Sequence, residues 1–131
     1  MKELTLQSAF KKLIEKGRSD PEVLAIFLFG SRVRADEGPA SDVDICVVLQ
    51  PRGYTELELS RKKLEYLKEF DFDIQIFQQL PLYIRHRVLK EGRVLFCRDE
   101  DELYQVAFRT AQQFEDFKHI YYTYLREVAR G

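Results

Sequence analysis

Nowhere in the 131 residues does an apolar run approach the roughly 18 residues that a membrane-crossing helix needs. The start, Met1-Lys2-Glu3-Leu4-Thr5, lacks the apolar core of a secretory signal, so the chain is expected in the cytoplasm. Cysteine is scarce. Cys46 and Cys97 both sit in apolar, strand-like runs and read as two reduced core thiols. Two cysteines and two histidines, widely spaced, make no zinc pattern, and His86 and His119 read as packing or surface residues. Basic charge is not in excess: 21 Lys and Arg against 22 Asp and Glu leave a net charge of −1. That removes the general attraction for an extended nucleic acid, leaving only a local patch of Arg32, Arg34 and Arg52. Asparagine is absent, which with the Glu, Lys and Arg richness is compatible with a thermophilic source. No internal repeat or low-complexity segment occurs. A chain that is 45% hydrophobic and 33% charged reads as one globular domain, long enough to bury a real core.

Against these absences stands one dense motif. The apolar run Ala25-Ile26-Phe27-Leu28-Phe29 ends in Gly30-Ser31, and after ten intervening residues comes Asp42-Val43-Asp44. A buried strand delivers a small, turn-permissive pair, and a second strand returns with two carboxylates. Strand side chains alternate, so Asp42 and Asp44 share a face. Two anionic oxygen ligands on one face suit a hard cation such as Mg²⁺. Glycine admits close backbone approach to a phosphate, and serine adds a hydroxyl donor. Further on, Phe70 to Ile76 alternates apolar and polar. Asp71, Asp73 and Gln75 therefore share one face, and Phe72, Ile74 and Ile76 the other. If this strand lies beside the Asp44 strand, three or four carboxylates converge, and a divalent ion would neutralise them. Aspartate is disfavoured in strands, so aspartates flanked by Val and Ile need a reason. Asp71, nearer the strand start, reads as solvated or as a support for the ligands.

The remaining chain reads as alternating helices and strands. Residues 5–16 predict a helix with Leu6, Phe10, Leu13 and Ile14 on one face and Gly17 as its stop. Residues 23–29 and 43–49 predict strands, with a short helix opening after Gly30-Ser31 that would aim its N-terminus at a phosphate. A helix to about Glu69 carries Leu57, Leu64 and Leu67 at helical spacing. The Asp73 strand, a helix from Pro81 to Glu91 ended by Gly92, and a strand over 93–97 follow. Asp99 and Glu102 then open a segment free of Gly and Pro as far as Arg130. Leu103, Ala107, Thr110, Phe114, Phe117, Tyr121, Tyr124 and Val128 recur in it at heptad spacing. Such a helix, about 45 Å long, either caps its own sheet along part of its length or packs its aromatic distal half on a partner subunit, a second copy included. The order of elements predicts an α/β (α+β) chain with a mixed sheet of about four strands flanked by helices, and a long C-terminal helix. Residues 1–98 form the main unit, and 99–131 the helix.

Leu28-Phe29-Gly30-Ser31-Arg32, Ser41-Asp42, Val43-Asp44 and Asp73 together resemble a minimal nucleotidyltransferase of the DNA polymerase β-type superfamily. The resemblance covers roughly residues 20–97, including the stretch from Pro81 to Phe96, and fulfils the G-S-x10-D-x-D spacing to the residue. The family usually has glycine where Ala35 stands, and alanine would cost about 1 kcal/mol if that turn needs positive φ.

The resemblance implies the nucleotidyltransferase fold and in-line transfer of a nucleoside monophosphate, AMP from ATP, to an acceptor hydroxyl, with release of pyrophosphate. Asp42 and Asp44 would bridge two Mg²⁺, and Asp73 would complete the acceptor-side ion and take the acceptor's proton. Gly30 and Ser31 would hold the β- and γ-phosphates, with Arg32 near enough for bidentate phosphate contact. Stand-alone proteins of this size resemble the antitoxin of toxin–antitoxin pairs, whose partner is an all-helical HEPN ribonuclease adenylylated on a tyrosine. The C-terminal helix would be the docking element. Two other readings stay open: a non-catalytic module that occludes its partner, and a transferase acting on a small molecule or an RNA end. Ala35 favours the module, and the intact Asp42, Asp44 and Asp73 oppose it.

Overall fold

The computed structural model describes residues 2–30 and 43–130. The apolar run forms β1 (Val23–Phe29), buried along all but its last residue. β1 lies between two antiparallel neighbours, β2 (Asp44–Leu49) and β4 (Arg93–Cys97). β3 (Asp73–Ile76) pairs in parallel with β2, so the sheet is mixed and ordered β3-β2-β1-β4. Helices cover both faces. On one, α1 (Lys2–Ser19) and α2 (Glu56–Glu69) place Leu13, Leu59 and Tyr66 against Ile26, Ile45, Val47 and Ile74. On the other, α3 (Leu82–Glu91) and α4 (Glu100–Arg130) place Val88 and Val106 against Ala25, Phe27, Cys46 and Val48. A strand with partners at both edges and helices on both faces has no wet side, which is why residues 23–29 show no alternation. Both cysteines are free; Cys46 is buried as expected, and Cys97, on the edge strand, only half so. Among the described residues no helix is long and apolar enough to cross a membrane.

Three expectations are corrected. Gly17 does not stop α1, which runs on to Ser19. Its missing Cβ instead makes room for the sheet, since a methyl there would lie 2.7 Å from Ile26 Cδ1. Leu57, Leu64 and Leu67 are not the inward face of α2: they are 59%, 56% and 39% exposed, while Leu59 and Tyr66 are buried. The helix starts where Thr55 and Glu58 form a reciprocal capping box, and tertiary contacts then choose its buried face. Arg52 is not free for an anion patch, because it pairs with Glu22 at 3.2 Å and lies over the Tyr54 ring.

The junction after α1 is fastened by charge. The Arg98 guanidinium donates to the carbonyl oxygens of Val23, Gly17, Arg18 and Asp20 at 2.7–3.0 Å, capping the C-terminus of α1 from the end of β4. Arg98→Ala is expected to cost about 2–3 kcal/mol, read as a melting temperature roughly 8 °C lower. Arg98→Lys should recover only part of it, since one ammonium cannot reproduce the planar fork. Beside it, Asp20 accepts from Lys62 Nζ at 3.0 Å, Tyr66 Oη at 2.9 Å and the Glu22 amide at 3.2 Å. Burial pushes the Asp20 carboxyl up, but the Lys62, Tyr66 and backbone donors outweigh it and hold it below the usual carboxylate value. The folded protein therefore binds this proton at lower pH than the unfolded chain does. The stabilisation is fully present above an aspartate's ordinary pKa of about 4 and is lost as pH falls below that. In acid titrations followed by circular dichroism, Asp20→Asn should be less stable at neutral pH and should show a shallower loss of stability below about pH 4.

α4 opens with the Asp99 carboxylate accepting from the Glu102 amide at 3.1 Å, as its sequence predicts. Its proximal half serves its own domain: Val106 and Thr110 are buried, and Phe114 stacks on His86 of α3 with ring centroids 4.0 Å apart. The same stripe then runs out into solvent, where Phe117, Tyr121, Tyr124 and Val128 are each about half exposed or more. The helix thus caps its sheet with one half and leaves the other uncovered.

Candidate active site

The site is assembled by strand register. β2 begins at Asp44 and β3 begins at Asp73, and the two are register partners across the parallel pair. On β2, Ile45, Val47 and Leu49 fill the α1–α2 face, so Asp44 belongs with Cys46 and Val48 on the other. On β3, Ile74 and Ile76 are buried inward, so Asp73 and Gln75 lie on the same side as Asp44. The Asp73 amide donates to the Val43 carbonyl at 2.9 Å, which pins this register at the mouth of the site. Asp73 is exposed and Asp44 half-buried.

β1 completes the corner. Phe29 pairs with Asp44, and Gly30 follows with φ +87°. A Cβ on Gly30 would run into the Asp44 carboxylate. Glycine here supplies a left-handed backbone and lets the end of β1 close on the acid. Gly30, Asp44 and Asp73 are therefore adjacent on three neighbouring strands. Ser31, Arg32 and Asp42, with Arg34 and Ala35, lie outside the described residues, as does the short helix expected after Ser31. Asp71 is exposed and precedes β3.

Asp44 and Asp73 supply hard oxygen donors from adjacent strands, and the cradle at Gly30 keeps side-chain bulk off the Asp44 carboxylate. This donor set fits a divalent ion such as Mg²⁺. Among the described residues the acids form a pair: no group of three His, Cys, Asp or Glu suited to a metal is found there. Around Asp73 the sequence had indicated Gln75 only as a face-mate. Gln75 Nε2 donates to Asp73 Oδ1 at 3.3 Å, and Lys63 Nζ of α2 donates to Gln75 Oε1 at 3.3 Å. Lys63 carried no sequence signal, because its contact is made by packing α2 beside the edge strand. His86 sits in the cleft between α3 and α4 with Tyr83, Arg87, Lys90 and Phe114, and His119 is exposed on α4.

The model of the polymerase beta nucleotidyltransferase family matches residues 11–101. A candidate protein adenylyltransferase of Methanocaldococcus jannaschii is 34% identical over 97 residues, covering 74% of each chain. Two solved structures share the fold at low identity. One is a toxin–antitoxin complex with AMP-PNP, TM-score 0.64 at 20% identity, covering 91% of this chain and 97% of that one. The other is the tri-AMPylated HEPN toxin of Shewanella oneidensis in complex with its MNT antitoxin, TM-score 0.63 at 21% identity, covering 94% and 98%.

Proposed function

Because the chain belongs to the polymerase beta nucleotidyltransferase family, we propose that it transfers AMP from ATP to a tyrosine hydroxyl of a partner HEPN-type toxin and acts as its antitoxin. The observation that carries this reading is the register pairing of Asp44 with Asp73 against Gly30. It is the arrangement that nucleotidyl transfer needs and that a purely structural strand pair does not.

In the reaction the acceptor oxygen bonds to the α-phosphorus, the α–β anhydride breaks, and pyrophosphate leaves. Asp42, Asp44 and Asp73 would hold two Mg²⁺, which when bound offset charge on the attacking and leaving oxygens. Gly30 and Ser31 bind the β- and γ-phosphates, with Arg32 as a further phosphate contact. Asp73, with Oδ1 engaged by Gln75, keeps Oδ2 for the acceptor's proton. The catalysis is positioning and electrostatics, which suits a site built at strand ends rather than on mobile side chains.

Residues 1–98 form the catalytic unit in this reading, and 99–131 a helix that docks the toxin. The support for docking is the exposed stripe of Phe117, Tyr121, Tyr124 and Val128. The chain acts in the cytoplasm, where the nucleotide is. The same stripe also favours a second reading, a module that binds and occludes its partner without chemistry.

One experiment separates them. The protein is incubated with Mg²⁺, ATP labelled at the α-phosphate and the product of the adjacent gene, beside an Asp42→Asn/Asp44→Asn control. Label on the partner, absent with the control, is the expected result. A tight complex without label would leave the occluding module. Label on RNA or on a small molecule would move the acceptor elsewhere.

A further inference from the structure

Resting on the transfer reading above, we propose that Lys63 and Gln75 form a relay that fixes the orientation of Asp73, and that both are positioning residues for the reaction. Lys63 Nζ donates to Gln75 Oε1, and Gln75 Nε2 donates to Asp73 Oδ1, each at 3.3 Å. An ammonium only donates and a carboxylate only accepts. A carboxamide between them satisfies both in one orientation alone, oxygen toward the lysine and NH₂ toward the acid. Remove the lysine and only Asp73 still selects that orientation, so the amide, and with it the acid, is less firmly held.

Lys63 is placed for this contact: none of Glu56, Glu58, Glu65 and Glu69 on α2 stands three or four residues from it, so none is its neighbour on the helix surface. Among the described residues Lys63 makes no ion pair; its contact is Gln75. Asp73 is exposed at the first position of β3, where a short acid has rotational freedom, while Gln75 is half-buried and better held. Engaging Oδ1 from Gln75 leaves Oδ2 as the oxygen presented to a cation or to the acceptor's proton. Hydrogen bonds in a shell behind the ligands orient them in this way, and losing one typically costs 10–100-fold in metal affinity or rate.

The test uses the full chain and Mn²⁺ without nucleotide, with free Mn²⁺ read by electron paramagnetic resonance, followed by steady-state transfer kinetics. Gln75→Leu is expected to weaken Mn²⁺ binding about tenfold and lower kcat about tenfold, with KM for ATP within about twofold, because Asp73 serves the acceptor side. Lys63→Met is expected to weaken Mn²⁺ binding about threefold, and Lys63→Arg to recover most of that, since a guanidinium also only donates. Lys63 belongs to α2, outside β3, and so tests the relay even if Gln75→Leu disturbs that strand. Mn²⁺ binding as tight as wild type in both Gln75→Leu and Lys63→Met, with binding lost in Asp73→Asn, would overturn the relay. So would a lowered melting temperature with Mn²⁺ affinity intact, the mark of a scaffold role. Failure of the unaltered protein to transfer AMP would strike the reaction instead, since the Mn²⁺ series needs no substrate.

Discussion

Asp44→Asn is expected to lower nucleotide transfer at least about a thousandfold while the chain still folds. Asp44 is the acid that joins the three strands of the site, with Phe29 opposite it on β1 and Asp73 on β3. A carboxylate that holds a divalent ion contributes through that ion several kcal/mol of transition-state stabilisation. At 1.36 kcal/mol per tenfold, about 4 kcal/mol is a thousandfold. The fold does not depend on the same atom. β2 is fastened by Ile45, Val47 and Leu49, which are fully or almost fully buried, whereas Asp44 is half-buried at the strand start. The melting temperature should therefore stay within about 3 °C, as for substitutions away from the core. Single-turnover assays with α-labelled ATP and calorimetry on the same samples check both halves. Asp44→Asn/Asp73→Asn should lose little more than Asp44→Asn alone, because groups that act as a unit are not additive. A residual rate within tenfold of wild type would remove Asp44 from the site.

Gly30→Ala should damage both stability and transfer. At φ +87° any residue with a Cβ carries backbone strain of about 1–2 kcal/mol. The added methyl also meets the Asp44 carboxylate, so relief of the clash means moving the acid or moving the end of β1. A displacement of about 1 Å in a catalytic group costs on the order of a hundredfold in rate. We expect a loss of that size, with a melting temperature several degrees lower and Gly30→Val worse on both counts. Gly53→Ala is the control: a Cβ there meets nothing within 4 Å, so transfer and melting should both be unchanged. Full activity in Gly30→Ala would mean that the corner between β1 and β2 is not part of the site.

Which features of the fold are legible in the sequence depends on the range of the interactions that make them. β1 was legible because a strand buried on both faces leaves a continuous apolar run. The alternation on either side of Asp73 was legible because half of β3 is inward. The cap of α4 at Asp99 was legible because it is made within one turn. α2 misled because its leucines satisfy helical spacing on a face that stays largely exposed; Leu59 and Tyr66 were selected by the sheet beneath them. Gly17 misled because a glycine that ends a helix and one that admits a neighbouring strand look alike in sequence.

What the sequence determined by itself is the chemistry on offer: acids at strand starts, a glycine at the end of a buried strand, a long helix with an aromatic stripe. These follow from local periodicity and from residue types that are costly without a purpose. Only the tertiary structure decided which of them meet. The parallel pairing of β2 with β3 sets Asp44 opposite Asp73, and the antiparallel pairing of β1 with β2 brings Gly30 onto Asp44. Lys63 reaches Gln75 through packing alone, and the distal half of α4 runs on into solvent past the residues that its proximal half packs against. Strand register and helix placement are contacts between residues distant in the chain. Their free energy comes from burying a common core, which no short window of sequence contains.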